Sequence, residues 1–339
     1  MNAESQIDTP IARVPNFPAI YDGELLYSIV ARYGSLLAYP DAGAVNLDLF
    51  GQPFGHAAAR IPSGLGAMAA RIPASLALTA LEIARRHTLL PYYCAFFPPG
   101  LKARVVAAAL SSKGRAQRVA GIDAKPLTAP RRLRFCPACL DGMAEDGHEL
   151  HWKSIHQLAI VAICPEHGID LRESQVSPSA HDRCLHPATR LNCPDAASPV
   201  IAPMPHLDRE ALLSLARGAR TLLAGRFPAN ATPAKAGRLA ELFRDLGYRR
   251  RGRLDWELLG PGVEAAAAGL LPLAPELTRA GRRDDGWFDH AMDPRRPARS
   301  DRVLITATII DRIEAIEPRF WQALDRLTGE PFMRLDAAV

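Results

Sequence analysis

The sequence has few cysteines and no long apolar run. Its 339 residues contain six cysteines, too few for a disulfide scaffold at this length. No stretch of about 18 consecutive apolar residues is present that could cross a membrane. The opening segment, MNAESQIDTP, is polar and lacks the charged and apolar parts of a signal peptide. We therefore expect a cytoplasmic protein without contact to a membrane.

Several enzyme signatures are also missing. The chain has no G-x-x-x-x-G-K-[ST] loop, no G-x-S-x-G elbow and no H-E-x-x-H motif. Its acidic residues are scattered, and none form a recognisable carboxylate set for two-metal phosphoryl transfer. The sequence thus favours a protein that is not an enzyme. The enzyme alternative is a nuclease or cysteine hydrolase in which Cys94 and His87 would react.

The composition is that of a folded, mildly basic protein. Hydrophobic residues make up 48% of the chain, which argues against disorder. The length is sufficient for roughly two or three domains. The formal net charge is +5, which permits binding to nucleic acid without requiring it. The local placement of the arginines is therefore more informative than the total charge.

One segment, residues 134–171, has the ligand spacing of a structural zinc site. Cys136 and Cys139 are separated by two residues, and so are Cys164 and His167. Two such pairs supply the four corners of a tetrahedral Zn²⁺ site with three thiolates and one imidazole. A closed site of this kind leaves no position for a substrate. We therefore expect the zinc to fold the segment rather than to catalyse a reaction.

The motifs of this segment resemble those of the TniQ family, which includes the TnsD-type target selectors of transposons. C-P-x-C, W-x-x-x-H-Q-L and C-P-x-H-G follow one another in the family's order. Three N-terminal motifs, E-L-L-Y-S, L-F-G and H-T-L-L-P-Y-Y, are similar too, as is L-A-E-L-F-R-D-L-G-Y near the C-terminus. The family usually has Pro-Gly after H-Q-L, where this chain has Ala159 and Ile160. That departure affects a turn and no metal ligand.

The resemblance implies a non-catalytic accessory protein of a transposon. Such proteins bind or mark the target DNA and recruit an AAA+ ATPase regulator, which in turn brings in the transposase. Some relatives are delivered by a CRISPR effector complex, and some act as homodimers. The alternative function is that of a zinc-containing helix-turn-helix transcription regulator with no role in transposition.

The patterning predicts a mainly α, multi-domain protein. We predict a helical N-terminal region over 1–128, the zinc module over 129–172, a Pro- and Ser-rich connector over 173–206 and a helical DNA-binding region over 207–339. In the last of these, two helices around Gly247 have the outline of a helix-turn-helix unit.

Apolar spacing and capping residues predict individual helices. The first runs over 24–33, is capped by Asp22 and ends at Gly34. Further helices are predicted over 75–87 and 101–110, from Asp208 to Gly225, and from Ile305 to Ile316. Three residues are expected as buried anchors in a loop: Leu47, Leu49 and Phe50.

Two arginine clusters in the C-terminal region are predicted to contact the DNA backbone. The first comprises Arg244, Arg249, Arg250, Arg251 and Arg253, and the second comprises Arg282, Arg283, Arg295 and Arg296. A basic segment over 111–134 is predicted to be a solvated linker, with a phosphate-contacting arm as its alternative.

The connector holds four further residues that could bind metal: His181, Cys184, His186 and Cys193. Their spacing matches no common zinc template. The sequence therefore favours a connector without metal, and a second zinc site is the open alternative.

Overall fold

The computed structural model describes residues 13–14, 16–53, 60–122, 130–177, 183–225, 247, 249–250, 253–279 and 299–314. Within these ranges the protein is mainly helical, as predicted, and has four strands of two residues each. No helix in this part of the chain is long and apolar enough to span a membrane.

The described part of the N-terminal region is built from seven helices. They are α1 Leu26–Leu36, α2 Ala42–Phe50, α3 Leu65–Arg71, α4 Ala80–Arg86, α5 Leu90–Tyr93, α6 Pro99–Leu110 and α7 Ala116–Val119. The predicted helix over 101–110 is thus confirmed as α6. The one predicted over 75–87 is instead a 3-10 turn, Ala74–Leu76, followed by α4, because Ala77 adopts a left-handed φ of 49° between them.

Helix α1 differs from its prediction at both ends. Asp22 does not cap it; the residue before the helix is Leu25, whose side chain makes no capping bond. Gly34 lies inside the helix rather than ending it. A Cβ at that position would stand 2.8 Å from Cγ2 of Val45. The glycine therefore permits the close approach of α1 and α2.

The predicted loop around residue 47 is helix α2. Its first turn is capped by the Asp41 side chain, which accepts a hydrogen bond of 2.8 Å from the amide of Ala44. Leu49 and Phe50 are buried as expected, but Leu47 is 55% exposed. The helical period explains the difference, because residues two apart point to nearly opposite sides of a helix.

The zinc-ligand segment is closed at its base by a short sheet. Strand β1, Arg134–Phe135, pairs antiparallel with β2, Arg172–Glu173. Between them lie α8, Pro137–Glu145, and a 3-10 turn, Ile155–Gln157. The pairing brings together the two ends of the segment that contains all four predicted ligands.

The C-terminal region begins with α9, Arg209–Leu223, whose Asp208 cap is confirmed by a 2.9 Å hydrogen bond from the amide of Ala211. Strands β3, Arg249–Arg250, and β4, Arg253–Leu254, pair antiparallel. They precede α10, Trp256–Ala268, a 3-10 turn, Pro275–Arg279, and α11, Ser300–Glu314, which confirms a helix at Ile305. The predicted helix before Gly247 lies outside the described residues, so the helix-turn-helix remains a prediction.

Two apolar clusters form the core. The first packs helices of the N-terminal region around residues such as Val30, Tyr33 and Leu65. The second joins the zinc-ligand segment, with Trp152, to helices α9, α10 and α11, and it also includes Tyr27 and Tyr92 of the N-terminal region. The zinc-ligand segment therefore packs against both the N-terminal and the C-terminal helices.

Candidate metal centre

Two short turns place the four predicted ligands. Cys136 is the residue immediately before α8, and Cys139 lies in the first turn of that helix, opened by Pro137. The second turn runs from Cys164 to Gly168, whose amide donates to the Cys164 carbonyl at 2.9 Å. Gly168 has a φ of 65°, a left-handed conformation that glycine adopts without strain. Each turn is therefore set by its local sequence.

The four ligand atoms have the spacing of a tetrahedral zinc site. His167 Nδ1 lies 3.5, 3.4 and 3.5 Å from the sulfurs of Cys136, Cys139 and Cys164. The sulfurs of Cys139 and Cys164 are 3.7 Å apart. With Zn–S of about 2.3 Å and Zn–N of about 2.0 Å, a tetrahedron requires S–N and S–S distances of about 3.5 and about 3.8 Å. The residues present therefore fit Zn²⁺.

Without a metal ion, the three thiols differ in how readily each loses its proton. Hydrogen bonds from Cys136 and Cys139 lower the pKa of Cys164 far below its usual range. Hydrogen bonding with Cys136 and Cys164, together with burial, raises the pKa of Cys139. The Cys139 contact lowers the pKa of Cys136, but Cys164 and burial together raise it to about 11. A divalent cation would remove this difference and allow all three to bind as thiolates.

Neighbouring side chains enclose the ligands. Nε2 of His156 lies 3.9 Å from the Cys139 sulfur, and His156 is buried. Lys153 pairs with Glu166 at 2.6 Å beside the second turn. Gln157 accepts from the amide of Arg134 at 3.0 Å and donates to its carbonyl at 2.9 Å. Gln157 thus holds the backbone two residues before Cys136, and His156 lies against Cys139. Residues around a metal site commonly orient its ligands in this way.

A buried polar network connects the metal centre to the N-terminal helices. Glu24 is fully buried, and its carboxylate accepts from Ser28 at 2.8 Å and from Arg32 at 3.0 Å. The Ser28 hydroxyl accepts from the Trp152 amide at 3.0 Å. The Glu24 carbonyl accepts from Nδ1 of His87 at 2.9 Å. The motifs E-L-L-Y-S, H-T-L-L-P-Y-Y and W-x-x-x-H-Q-L therefore meet in one place.

Glu24, Ser28 and Trp152 were not predicted to form this network. Ser28 and Trp152 are 124 positions apart in the sequence. Their only signal in a single sequence was membership of the three family-like motifs. We term this set the motif network: Glu24, Ser28, Arg32, His87 and Trp152.

Cys94 and His87 are core residues. Both are fully buried, and burial raises the pKa of the Cys94 thiol to about 12. Burial also lowers the pKa of His87, which uses its Nδ1 hydrogen for the Glu24 carbonyl. Neither residue presents a reactive atom to solvent. This geometry is the opposite of the exposed, low-pKa thiol that a cysteine hydrolase requires.

The predicted second metal site is described only in part. Cys184 is exposed, whereas Cys193 is buried, and burial raises its pKa to about 12. The His186 carbonyl accepts from the indole of Trp152 at 2.9 Å. His181 lies outside the described residues. Among the residues that are described, only Cys136, Cys139, Cys164 and His167 form a group able to hold a metal ion, and the second site stays the alternative to a connector without metal.

The predicted DNA-contacting arginines fall mostly outside the described residues. Arg249, Arg250 and Arg253 lie in the β3–β4 pair, where Arg250 is opposite Arg253. The others are not described: Arg244, Arg251, Arg282, Arg283, Arg295 and Arg296. Their contact with DNA remains a prediction.

Comparison with known proteins agrees with this geometry. Residues 15–171 match the TniQ family model. The chain is also 23% identical over 317 residues to the transposon Tn7 transposition protein TnsD of Escherichia coli. Residues 15–171 of the chain are thus similar to the TniQ family. That alignment covers 89% of this chain and 59% of the length of TnsD.

The TniQ match contains both the motif network and the candidate metal centre. It spans the motif network, and it contains all four metal ligands before it ends at residue 171. The helices from α9 onward lie beyond it, although the likeness to TnsD extends over most of the chain. Residues 15–171, the TniQ region, are therefore the part of this protein that resembles the TniQ family most specifically.

Proposed function

We propose that this protein selects the target site in a transposition system. In this role it binds or marks the target DNA and recruits an AAA+ ATPase regulator, through which the transposase arrives. The observation that carries the proposal is the TniQ region itself, in which the motif network and a complete Cys₃His ligand set occur together. The likeness to a protein named for Tn7 transposition supports it.

The proposed role is that of an adaptor without catalysis. A closed four-ligand zinc site stabilises a fold and offers no position to a substrate. The one cysteine–histidine pair weighed as an active site is buried in the core. Zn²⁺ would be held by Cys136, Cys139, Cys164 and His167, and its contribution would be to fix the two turns against the motif network.

The two proposed binding roles are assigned to different regions of the chain. We propose that the N-terminal region docks the ATPase and that arginines of the C-terminal region contact the DNA backbone. Delivery by a CRISPR effector complex and action as a homodimer are two further features of relatives that the same experiments can examine.

A pull-down tests the adaptor role. The full chain, purified with zinc, is immobilised and offered the AAA+ ATPase encoded by the same element, with and without duplex DNA. Retention of the ATPase is expected. If the protein binds DNA tightly and ignores the ATPase under all conditions, the transcription-regulator function replaces this proposal.

Paired variants test where the ATPase docks. Leu36 and Leu47 are 58% and 55% exposed on α1 and α2. Leu36→Glu with Leu47→Glu should abolish ATPase retention while the protein stays folded. The matched control changes two exposed leucines elsewhere, Leu191 and Leu258, which are 85% and 64% exposed. Equal retention by both variants would move the docking surface away from α1 and α2.

A further inference from the structure

The stretch from residue 83 to 122 carries positive charge and contains no acidic residue of its own, although Arg86 pairs with Asp22 at 3.5 Å. It contains seven basic residues and no aspartate or glutamate: Arg85, Arg86, Lys102, Arg104, Lys113, Arg115 and Arg118. The chain as a whole has 41 basic and 36 acidic residues, so this imbalance is local. It lies outside both arginine clusters that were predicted to contact DNA, and its last part belongs to the segment 111–134, for which a phosphate-contacting arm was the alternative to a solvated linker.

The last three of these residues are exposed on and beside α7. Lys113, Arg115 and Arg118 each present their side chains to solvent. None of them takes part in an ion pair with a residue that the structure describes. We call Lys113, Arg115 and Arg118 the α7 basic face. Three cations within six positions repel one another unless an anion lies near them.

Residues 111–122 of the predicted solvated linker, 111–134, are instead a turn and helix α7 packed against the N-terminal helices. A Cβ at Gly114 would stand 1.7 Å from the Ala108 carbonyl oxygen, so the turn between α6 and α7 is tightly packed. The Ser63 hydroxyl accepts from the amide of Ala116 at 3.1 Å, and Gln117 accepts from the amide of Arg60 at 3.0 Å. A preorganised charged surface loses little conformational entropy when it binds.

The beginning of α11 lies against the end of α7. Nη2 of Arg299 donates to the Gly121 carbonyl at 2.8 Å, across 178 positions of sequence. Ser300 anchors the same end of α11 by donating to the carbonyl of Tyr92. Arg299 follows Arg295 and Arg296, which belong to the second predicted DNA-contacting cluster. The fold therefore brings the chain after that cluster to the α7 basic face.

We infer that the α7 basic face binds the phosphate backbone of duplex DNA. The inference rests on the proposed function, because it adds a DNA contact to a region that the proposal assigns to the ATPase. Regularly spaced phosphates supply the anions that three uncompensated cations require. Their contacts would be independent of base sequence and sensitive to salt.

Salt-dependent DNA binding by the full, zinc-loaded chain tests the inference. Binding of a duplex of random sequence is measured by fluorescence anisotropy over a series of salt concentrations. The test variant is Arg115→Gln with Arg118→Gln. The matched control, Arg190→Gln with Arg209→Gln, removes the same charge from arginines that are paired with Asp141 and Asp170. Thermal unfolding establishes that both variants are folded.

The test variant should bind DNA several-fold more weakly, and the slope of log K against log salt should fall by about 2 in magnitude, while the control keeps the wild-type slope. Equal slopes for the test variant, the control and the wild type would overturn the inference and leave the proposed function intact. This is also the result expected if the α7 basic face binds an acidic protein instead of DNA. If the wild-type chain fails to bind DNA at all, both the inference and the DNA part of the proposed function are wrong.

Discussion

Cys164 supplies one of the three sulfurs of the candidate metal centre. Its sulfur lies 3.7 Å from that of Cys139 and 3.5 Å from Nδ1 of His167. Cys164→Ser should therefore remove bound zinc and lower the free energy of unfolding by several kcal/mol, because binding a structural metal is coupled to folding. Zinc content by atomic absorption and denaturant unfolding measure the two effects. Full zinc content in the variant would show that the site uses other ligands.

Cys184 provides the matched control and tests the second metal site as well. It is exposed, and it lies outside the Cys₃His group. If the protein holds one zinc ion per chain, Cys184→Ser should leave zinc content and stability unchanged. A wild-type content of two ions per chain that falls to one in this variant would establish the second site.

His151 makes the stability of the protein depend on pH. Burial lowers its pKa to about 4, while its ring stacks on Tyr21 at 4.7 Å. The pKa of a histidine in an unfolded chain is about 6.5. The titration of His151 therefore leaves the free energy of unfolding unchanged above about pH 6.5. As the pH falls from there toward about 4, it lowers the free energy of unfolding by about 1.4 kcal/mol per pH unit.

His151→Phe tests this dependence while keeping an aromatic ring against Tyr21. The free energy of unfolding is measured for both proteins between pH 7.5 and 5, roughly the upper part of the window in which linkage acts. The wild type should lose more stability than the variant as the pH is lowered. Parallel curves would mean that folding does not lower the pKa of His151.

At the scale of elements, the turn between α6 and α7 depends on glycine. Gly114→Ala places a methyl group against the backbone of Ala108, where no flexible side chain can yield. We expect a loss of about 1–3 kcal/mol or more in the free energy of unfolding. Gly100 in α6 is the control, because a Cβ there meets nothing within 4 Å. Gly100→Ala should stabilise the protein by about 0.5–1 kcal/mol.

Chemical denaturation of the two alanine variants measures both changes. Gly100 lies in the first turn of α6 and Gly114 in the turn that follows the helix, so opposite signs would separate the backbone clash at Gly114 from a general effect of alanine. Equal stability of Gly114→Ala and the wild type would show that the α6–α7 turn relaxes, and it would weaken the argument for a rigid α7 basic face.

Local sequence determined how much of this structure was predictable. The metal ligands lie in two pairs whose members are three residues apart, so their spacing alone indicated the site. Asp208 capped α9 as predicted, because a cap bonds within its own first turn. Gly34 was assigned wrongly as a helix end, since its role depends on Val45 of the next helix. Contacts between distant segments leave no such local signal.

At the scale of the whole molecule, the predicted boundary near residue 128 is crossed by backbone hydrogen bonds. The amide of Leu25 donates to the Trp152 carbonyl at 2.8 Å, and the amide of Ser154 donates to the Gly23 carbonyl at 2.8 Å. The side chain of Arg32 pairs with both Glu24 and Glu149. These contacts explain why the TniQ motifs at both ends of residues 15–171 belong together.

The same contacts predict that metal loss will affect the N-terminal helices. Glu24 and Arg32 are buried, and a buried ion pair that loses its surroundings becomes costly. Removing zinc should loosen residues 134–171, which contain Trp152, and so weaken the bonds of Trp152 to Leu25 and Ser28 and expose α1, Leu26–Leu36. Hydrogen exchange measured by mass spectrometry, before and after a chelator, should show loss of amide protection in both segments.

Re-addition of zinc is the control, because it should restore protection in both segments together and so exclude irreversible damage by the chelator. Loss confined to residues 134–171, with α1 unchanged, would mean that the N-terminal region is stable without the metal centre and that the two parts are separate domains divided near residue 128. Coupled loss would instead define the TniQ region as one cooperative unit. In that case the zinc ion would stabilise the proposed ATPase-docking helices through the motif network, although none of its ligands belongs to them.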